Sequence, residues 1–162
     1  MNKPSARTVY FALMKMLLIA LAAALFVTVA GHTTAVAKTG WSEDFDKSLA
    51  RTKAEKKIML VDFTGSDWCH ICIQLDKEVF AKKEFAEYAK QNLVLMEADF
   101  PLGKEQTKEI KVQNEKLKER YEIEGFPMII VLDADGKKLG KLGYMEGGPK
   151  AFIAELEKLK GK

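Results

Sequence analysis

Between residues 42 and 160, short apolar runs alternate with longer stretches in which apolar residues recur every three or four positions. That is the pattern of buried strands separated by amphipathic helices. Ser42 stands at a capping position, which predicts a helix to about Lys56 with Glu43 and Asp44 in its positive first turn. Residues 58–63 read as a strand buried on both faces, broken only by Asp62. A long helical stretch over 69–92 carries an apolar stripe of Ile71, Leu75 and Val79, continued by Phe85, Tyr88 and Ala89, and is expected to bend near 81–83. A second strand follows at 93–99, then a loop containing Pro101 and Gly103. Next comes a charged helix over 108–121 with Ile110, Leu117 and Tyr121 facing inward. Gly125-Phe126-Pro127 breaks the chain before a third buried strand at 128–132. Asp133-Ala134-Asp135-Gly136 has the chemistry of a hairpin turn into a charged, Gly-rich edge strand at 137–143. Gly148-Pro149 opens a last helix with Pro in its first turn and Phe152, Ile153, Leu156 and Leu159 inside. The predicted order is α-β-α-β-α-β-β-α. It contains one right-handed β-α-β unit and a closing hairpin, so an α/β fold with a small mixed sheet and helices on both faces is expected.

The first 37 residues have a different character. Lys3, Arg7 and Lys15 precede fifteen residues, 16–30, whose only polar member is Thr28, and Ala35-Val36-Ala37 follows. A basic leader, an apolar run and small residues in an A-x-A arrangement are the three parts of a secretory signal peptide. Cleavage after Ala37 is expected, leaving 38–162 as one domain in a periplasmic or extracellular location. The alternative is an uncleaved segment anchoring the chain to a membrane. The chain's net charge of +3 resides in this leader; without it 23 basic and 23 acidic residues remain. A neutral body with mixed signs gives no electrostatic basis for nucleic-acid binding.

Candidate chemistry lies in Cys69 and Cys72, the chain's two cysteines. They stand three apart at a predicted helix start, where unpaired N–H groups and the helix dipole favour a thiolate. A thiolate attacks disulfides, and a second thiol one turn later can resolve the mixed disulfide that results. His70 sits beside Cys69; protonated, it would favour the thiolate, and otherwise it shapes the surface a substrate meets. Trp68 and the polar loop before it point to partial exposure of the pair. Competing readings are a structural disulfide closing a very short loop, two inert buried thiols, a copper(I) site of soft thiolates, and a non-catalytic binding module. A zinc site finds no fourth ligand, since His32 lies in the leader. No bound cofactor or metal is expected.

Val61-Asp62-Phe63, Trp68-Cys69-His70-Ile71-Cys72 and Gly125-Phe126-Pro127, in that order, resemble the thioredoxin superfamily over essentially residues 42–160. Residues 63–69, with Gly143-Tyr144 and Gly147-Gly148-Pro149, look like a secreted bacterial branch of thioredoxin-like proteins. That branch is similar to the C-terminal domain of transmembrane thiol:disulfide interchange proteins. The resemblance implies a thioredoxin fold and thiol–disulfide oxidoreductase activity. It implies Cys69 as nucleophile and Cys72 as resolving thiol. Pro127 would be a cis-proline beside the site, with Phe126 and Trp68 meeting the substrate. Asp62 would be a buried acid relaying a proton to Cys72; its apolar neighbours would raise its pKa by desolvation. Partners would be protein thiols and disulfides and a membrane-bound or soluble thiol electron donor, with the protein itself a monomer. Departures are the His-Ile dipeptide between the cysteines, a loop before Cys69 one residue longer than usual, and Ile73 where a lysine is common.

Overall fold

The computed structural model describes residues 38–161; the leader read at 1–37 lies outside them. Strands β1 (Trp41–Ser42), β2 (Ile58–Thr64), β3 (Leu93–Asp99), β4 (Met128–Leu132) and β5 (Lys138–Leu142) form one sheet. Its order is β1-β3-β2-β4-β5. β3 runs parallel to both β1 and β2, whereas β4 is antiparallel to β2 and β5 antiparallel to β4. The helices are α1 (Phe45–Glu55), α2 (His70–Leu75), α3 (Lys83–Asn92), α4 (Lys108–Arg120) and α5 (Gly148–Lys160). A π-helical segment, Asp76–Phe80, continues α2.

The mixed sheet and the helix order agree with the sequence pattern, and four details are corrected. Ser42 is not the first cap. It lies in β1, a short edge strand absent from the predicted order, and the cap is Asp44, whose side chain accepts a hydrogen bond from Lys47 N at 3.0 Å. Ile71 does not belong to the inner stripe but is exposed, because the helix turns Cys72, Leu75 and Val79 inward at spacings of three and four. The 69–92 stretch is two helices. The π segment closes with Ala81 N on Asp76 O at 2.8 Å, and extended Lys82 then restarts the chain as α3. In α4 it is Asn114 that is buried beside Leu117, whereas Ile110 lies at the margin. Asn114 replaces an apolar residue there because its amide donates to the carbonyl of Asp99 at 2.9 Å.

Strand alternation sorts the core into two layers. On one face Leu60, Leu95, Ile129 and Val131 pack with Leu75, Val79, Phe80, Phe85, Phe152 and Leu156 from α2, its π continuation, α3 and α5. On the other Met59, Val61, Phe63, Met96 and Ile130 meet Phe45 from α1, Leu117 from α4 and Tyr121 just after it. Asp62 shares the parity of Leu60, so its side chain falls on the face covered by α2. In register it stands between Glu97 of β3 and Ile129 of β4. The alternation that buries the core therefore sets a carboxyl under the helix that carries the cysteines.

Phe152 is fully buried against Phe80 and Phe85, with ring centroids 5.5 and 6.0 Å away. Phe152→Ala is expected to destabilise the fold by about 3–5 kcal/mol. Val112→Ala, on the exposed side of α4, should change stability by less than about 0.5 kcal/mol. Urea denaturation of both variants checks this, and similar losses in the two would contradict the assigned core.

Candidate functional site

Cys69 is the extended residue immediately before α2, and its Sγ accepts the backbone N–H of Cys72 at 3.3 Å. The two cysteines are joined as a disulfide with their Cα atoms 5.2 Å apart. The preceding loop is tied into a turn by Trp68 N and Cys69 N, both donating to Gly65 O. Cys69 is 8% exposed and Cys72 4%. The exposure expected for the pair falls instead on its neighbours Trp68, His70, Ile71 and Ile73. α2 packs Cys72 and Leu75 against the sheet, and that contact covers the disulfide while turning the residues between outward.

Beside the disulfide three aromatic rings form a wall. The Trp68 indole lies on Gly65 so closely that a Cβ there would sit 2.5 Å from its Cε2. Its Nε1 donates to Phe100 O at 2.8 Å. Its ring meets Phe126 edge-on at 6.0 Å, and Phe126 stacks on Phe100 at 5.0 Å. The Phe126–Pro127 bond is cis. Two carboxylates hold the loops that carry this wall. Asp67 accepts from Leu102 N at 3.0 Å and Gly103 N at 2.6 Å, and these hydrogen bonds keep its pKa low. Buried Asp99 accepts from Ser66 N and Ser66 Oγ, and Lys104 Nζ donates to the same hydroxyl at 2.8 Å. Trp68 and Phe126 are thus brought together; His70 stands apart, exposed at the first position of α2.

Behind the disulfide is a cavity of about 260 Å³ bordered by Asp62, Cys72, Asp76, Glu97 and Lys38. Asp62 is 3% exposed and its Oδ1 has no hydrogen-bond partner. Desolvation pushes its pKa up to about 7; the Lys38 charge opposes the rise, and Glu97, Asp76 and Asp99 add to it. Burial likewise raises the pKa of Glu97. Sequence reasoning singled out Asp62 but not Glu97, Asp76, Lys38 or Phe100. Glu97 had a readable signal, a charged residue inside an otherwise apolar strand. Asp76 follows Cys72 by one turn, on the same side of a helix. Lys38 and Phe100 had none, because their roles arise from chain segments that meet only in the fold.

Comparison with known proteins extends this picture. The family described as "Thioredoxin-like domain" matches residues 45–160. The chain is 34% identical over 123 residues to the disulfide bond reductase DsbH of Chlamydia pneumoniae, a match covering 76% of this chain and 74% of that protein. It is 28% identical over 141 residues to the thiol:disulfide interchange protein DsbD of Pseudoalteromonas atlantica, but spans only 22% of it while 82% of this chain is matched. A solved structure titled "DsbH Oxidoreductase" superposes with a TM-score of 0.70 at 29% identity, covering 85% of this chain and 96% of that one. By its matched domain and its redox cysteine pair at the start of α2, the chain belongs to the thioredoxin-like family of thiol–disulfide oxidoreductases.

Proposed function

We propose that this protein is an exported reductase of protein disulfides. The observation that carries the reading is the stacking of three parts. Trp68, next to Cys69 in the chain, forms an aromatic wall with Phe126, the residue before a cis-proline; the Cys69–Cys72 pair starts α2; and a buried carboxyl whose Oδ1 has no hydrogen-bond partner shares the cavity behind Cys72. The name of the Chlamydia relative supports the reducing direction, and the tripartite leader at 1–37 supports export.

In the reduced protein the Cys69 thiolate attacks a substrate disulfide. One S–S bond forms, one breaks, and a substrate thiolate leaves to take a proton from water. The Asp62 carboxylate then removes the Cys72 proton, and Cys72 attacks Cys69 Sγ. The second substrate sulfur departs and the Cys69–Cys72 disulfide forms. Two electrons pass from the cysteine pair to the substrate, and an external thiol donor restores the pair. Trp68, Phe126 and Pro127 border the approach to Cys69 and present the surface on which an extended segment of substrate lies. A base of pKa about 7 suits the proton transfer, because it holds and releases the proton near neutral pH.

Cys72→Ser is expected to accumulate covalent complexes with protein partners on non-reducing gels, and Cys69→Ser to accumulate few. Insulin reduction should be lost in both. Equal trapping by the two variants would overturn the assignment of nucleophile and resolving thiol.

The same carboxyl predicts a pH-dependent stability. Its folded pKa of about 7 lies above the unfolded value of about 3.9. Between those pH values the folded state holds the proton more firmly, so stability falls as pH rises through the window and then levels off. Asp62→Asn removes this loss. The variant should equal the wild type near pH 4 and exceed it at pH 8, by at most about 4 kcal/mol. Thermal or urea unfolding at the two pH values measures it, and a gain of the same size at both would refute a buried, ionising Asp62.

A further inference from the structure

Resting on the proton-relay reading of Asp62, we infer that Lys38 is a positioning residue of the redox site. It is the cation, held at the cavity behind the disulfide, whose charge favours the ionised form of Asp62. Lys38 is remote from the cysteines in sequence and stands just before β1. Its backbone carbonyl accepts Trp41 N at 2.9 Å. Its ammonium is held at three points: it pairs with Asp76 Oδ1, lies 4.4 Å from the Trp41 ring centroid, and lies 4.7 Å from that of Phe80. The two rings contact each other at 5.1 Å, so they form one platform under the charge. The side chain is 23% exposed. An ammonium seated between aromatic faces and a carboxylate has few other places to go, and it stays where the cavity opens.

The balance of charge around that cavity explains why its position matters. From β2 comes Asp62, from β3 Glu97 and Asp99, and from the π segment following α2 comes Asp76. The cations are Lys38 and, from the loop after β3, Lys104. Lys104 is bonded to Ser66 Oγ, which itself donates to Asp99, so its charge is directed to that carboxylate. Asp62 stands beside Glu97 in register, and acid next to acid opposes ionisation of both. The Lys38 ammonium opposes the rise that burial imposes on both Asp62 and Glu97. Lys38 also ties Asp76, one turn beyond Cys72, to the first strand of the sheet.

The resolving step reports this directly. Reduced protein mixed with an equimolar amount of dithionitrobenzoate releases one coloured thiolate when Cys69 attacks and a second when Cys72 resolves. The second phase is followed against pH in stopped flow. In the wild type its rate should climb through neutral pH as Asp62 ionises. Lys38→Met should move that climb to higher pH by roughly one unit, leaving the rate at pH 7 about five-fold slower and converging with the wild type at alkaline pH. Lys38→Arg, which keeps the charge and stacks on aromatic rings, should restore the wild-type profile. The backbone bond to Trp41 does not depend on the side chain, so the variants are expected to fold. If Lys38→Met does not, Lys38→Gln provides the same neutral comparison. Asp62→Asn separates the two levels of the argument. If it abolishes the climb while the neutral Lys38 variant leaves the profile in place, or slows it equally at every pH, the role given to Lys38 is wrong and the relay stands. If Asp62→Asn retains the climb, the relay reading itself fails and the inference with it.

Discussion

A carboxyl group on the central strand, set inside an apolar layer, is the feature around which this molecule is arranged. Burying a carboxylate without a partner is expensive, and the protein answers by leaving Asp62 protonated over much of the pH range. Nothing in the core of the fold needs an acid there; Leu60 and Ile129 on the same face show what the layer otherwise prefers. The cost becomes intelligible once α2 is placed above it, because Cys72 then borders the same cavity. On the proposed mechanism, a proton acceptor shielded from water and lying behind the resolving thiol is what that helix requires.

The disulfide itself is held by rather ordinary means. Cys69 caps its helix, Cys72 and Leu75 anchor the inner side, and the loop before them is pinned through Ser66 and Asp67. Asp67 gathers the N–H groups of Leu102 and Gly103, and Asp99 gathers Ser66. These bonds fasten the active-site loop to the loop after β3, and the Trp68–Phe126–Phe100 wall grows from that junction. Gly65 permits it, since any side chain there would collide with the indole. On the proposed function, this wall beside the cysteine pair limits how a substrate sulfur approaches, which matters because thiol–disulfide exchange depends on access as well as thiolate character.

The edges of the sheet divide the work. β5, with Lys138 and Lys141 along it, forms one border, and charged edges discourage pairing with other chains. The opposite border is only two residues long. Lys38, just before it, pairs with Asp76 and lines the same cavity as Glu97 and Asp62.

Much of this was legible in residues alone. Apolar runs bounded by Gly, Pro and charged stretches located strands β2, β3 and β4 to within a residue, because buried strands admit little else. The cysteine pair marked the redox chemistry by its spacing at a helix start, whereas Asp62 and Pro127 were assigned to the site by the resemblance to the thioredoxin superfamily. What the sequence could not determine were the partnerships. Ser42 and Asp44 are both competent caps, and the choice between them followed from Trp41 and Ser42 pairing with Leu95 and Met96, far away in the chain. Ile71 reads as core by spacing and is exposed because α2 orients by burying Cys72. Glu97 stands beside Asp62 only through strand register, and Lys38 meets Asp76, Trp41 and Phe80 only through tertiary folding. Local pattern determines which segments are buried; which charges share a cavity depends on the three-dimensional path, and on the proposed mechanism those charges set the proton transfer at Cys72.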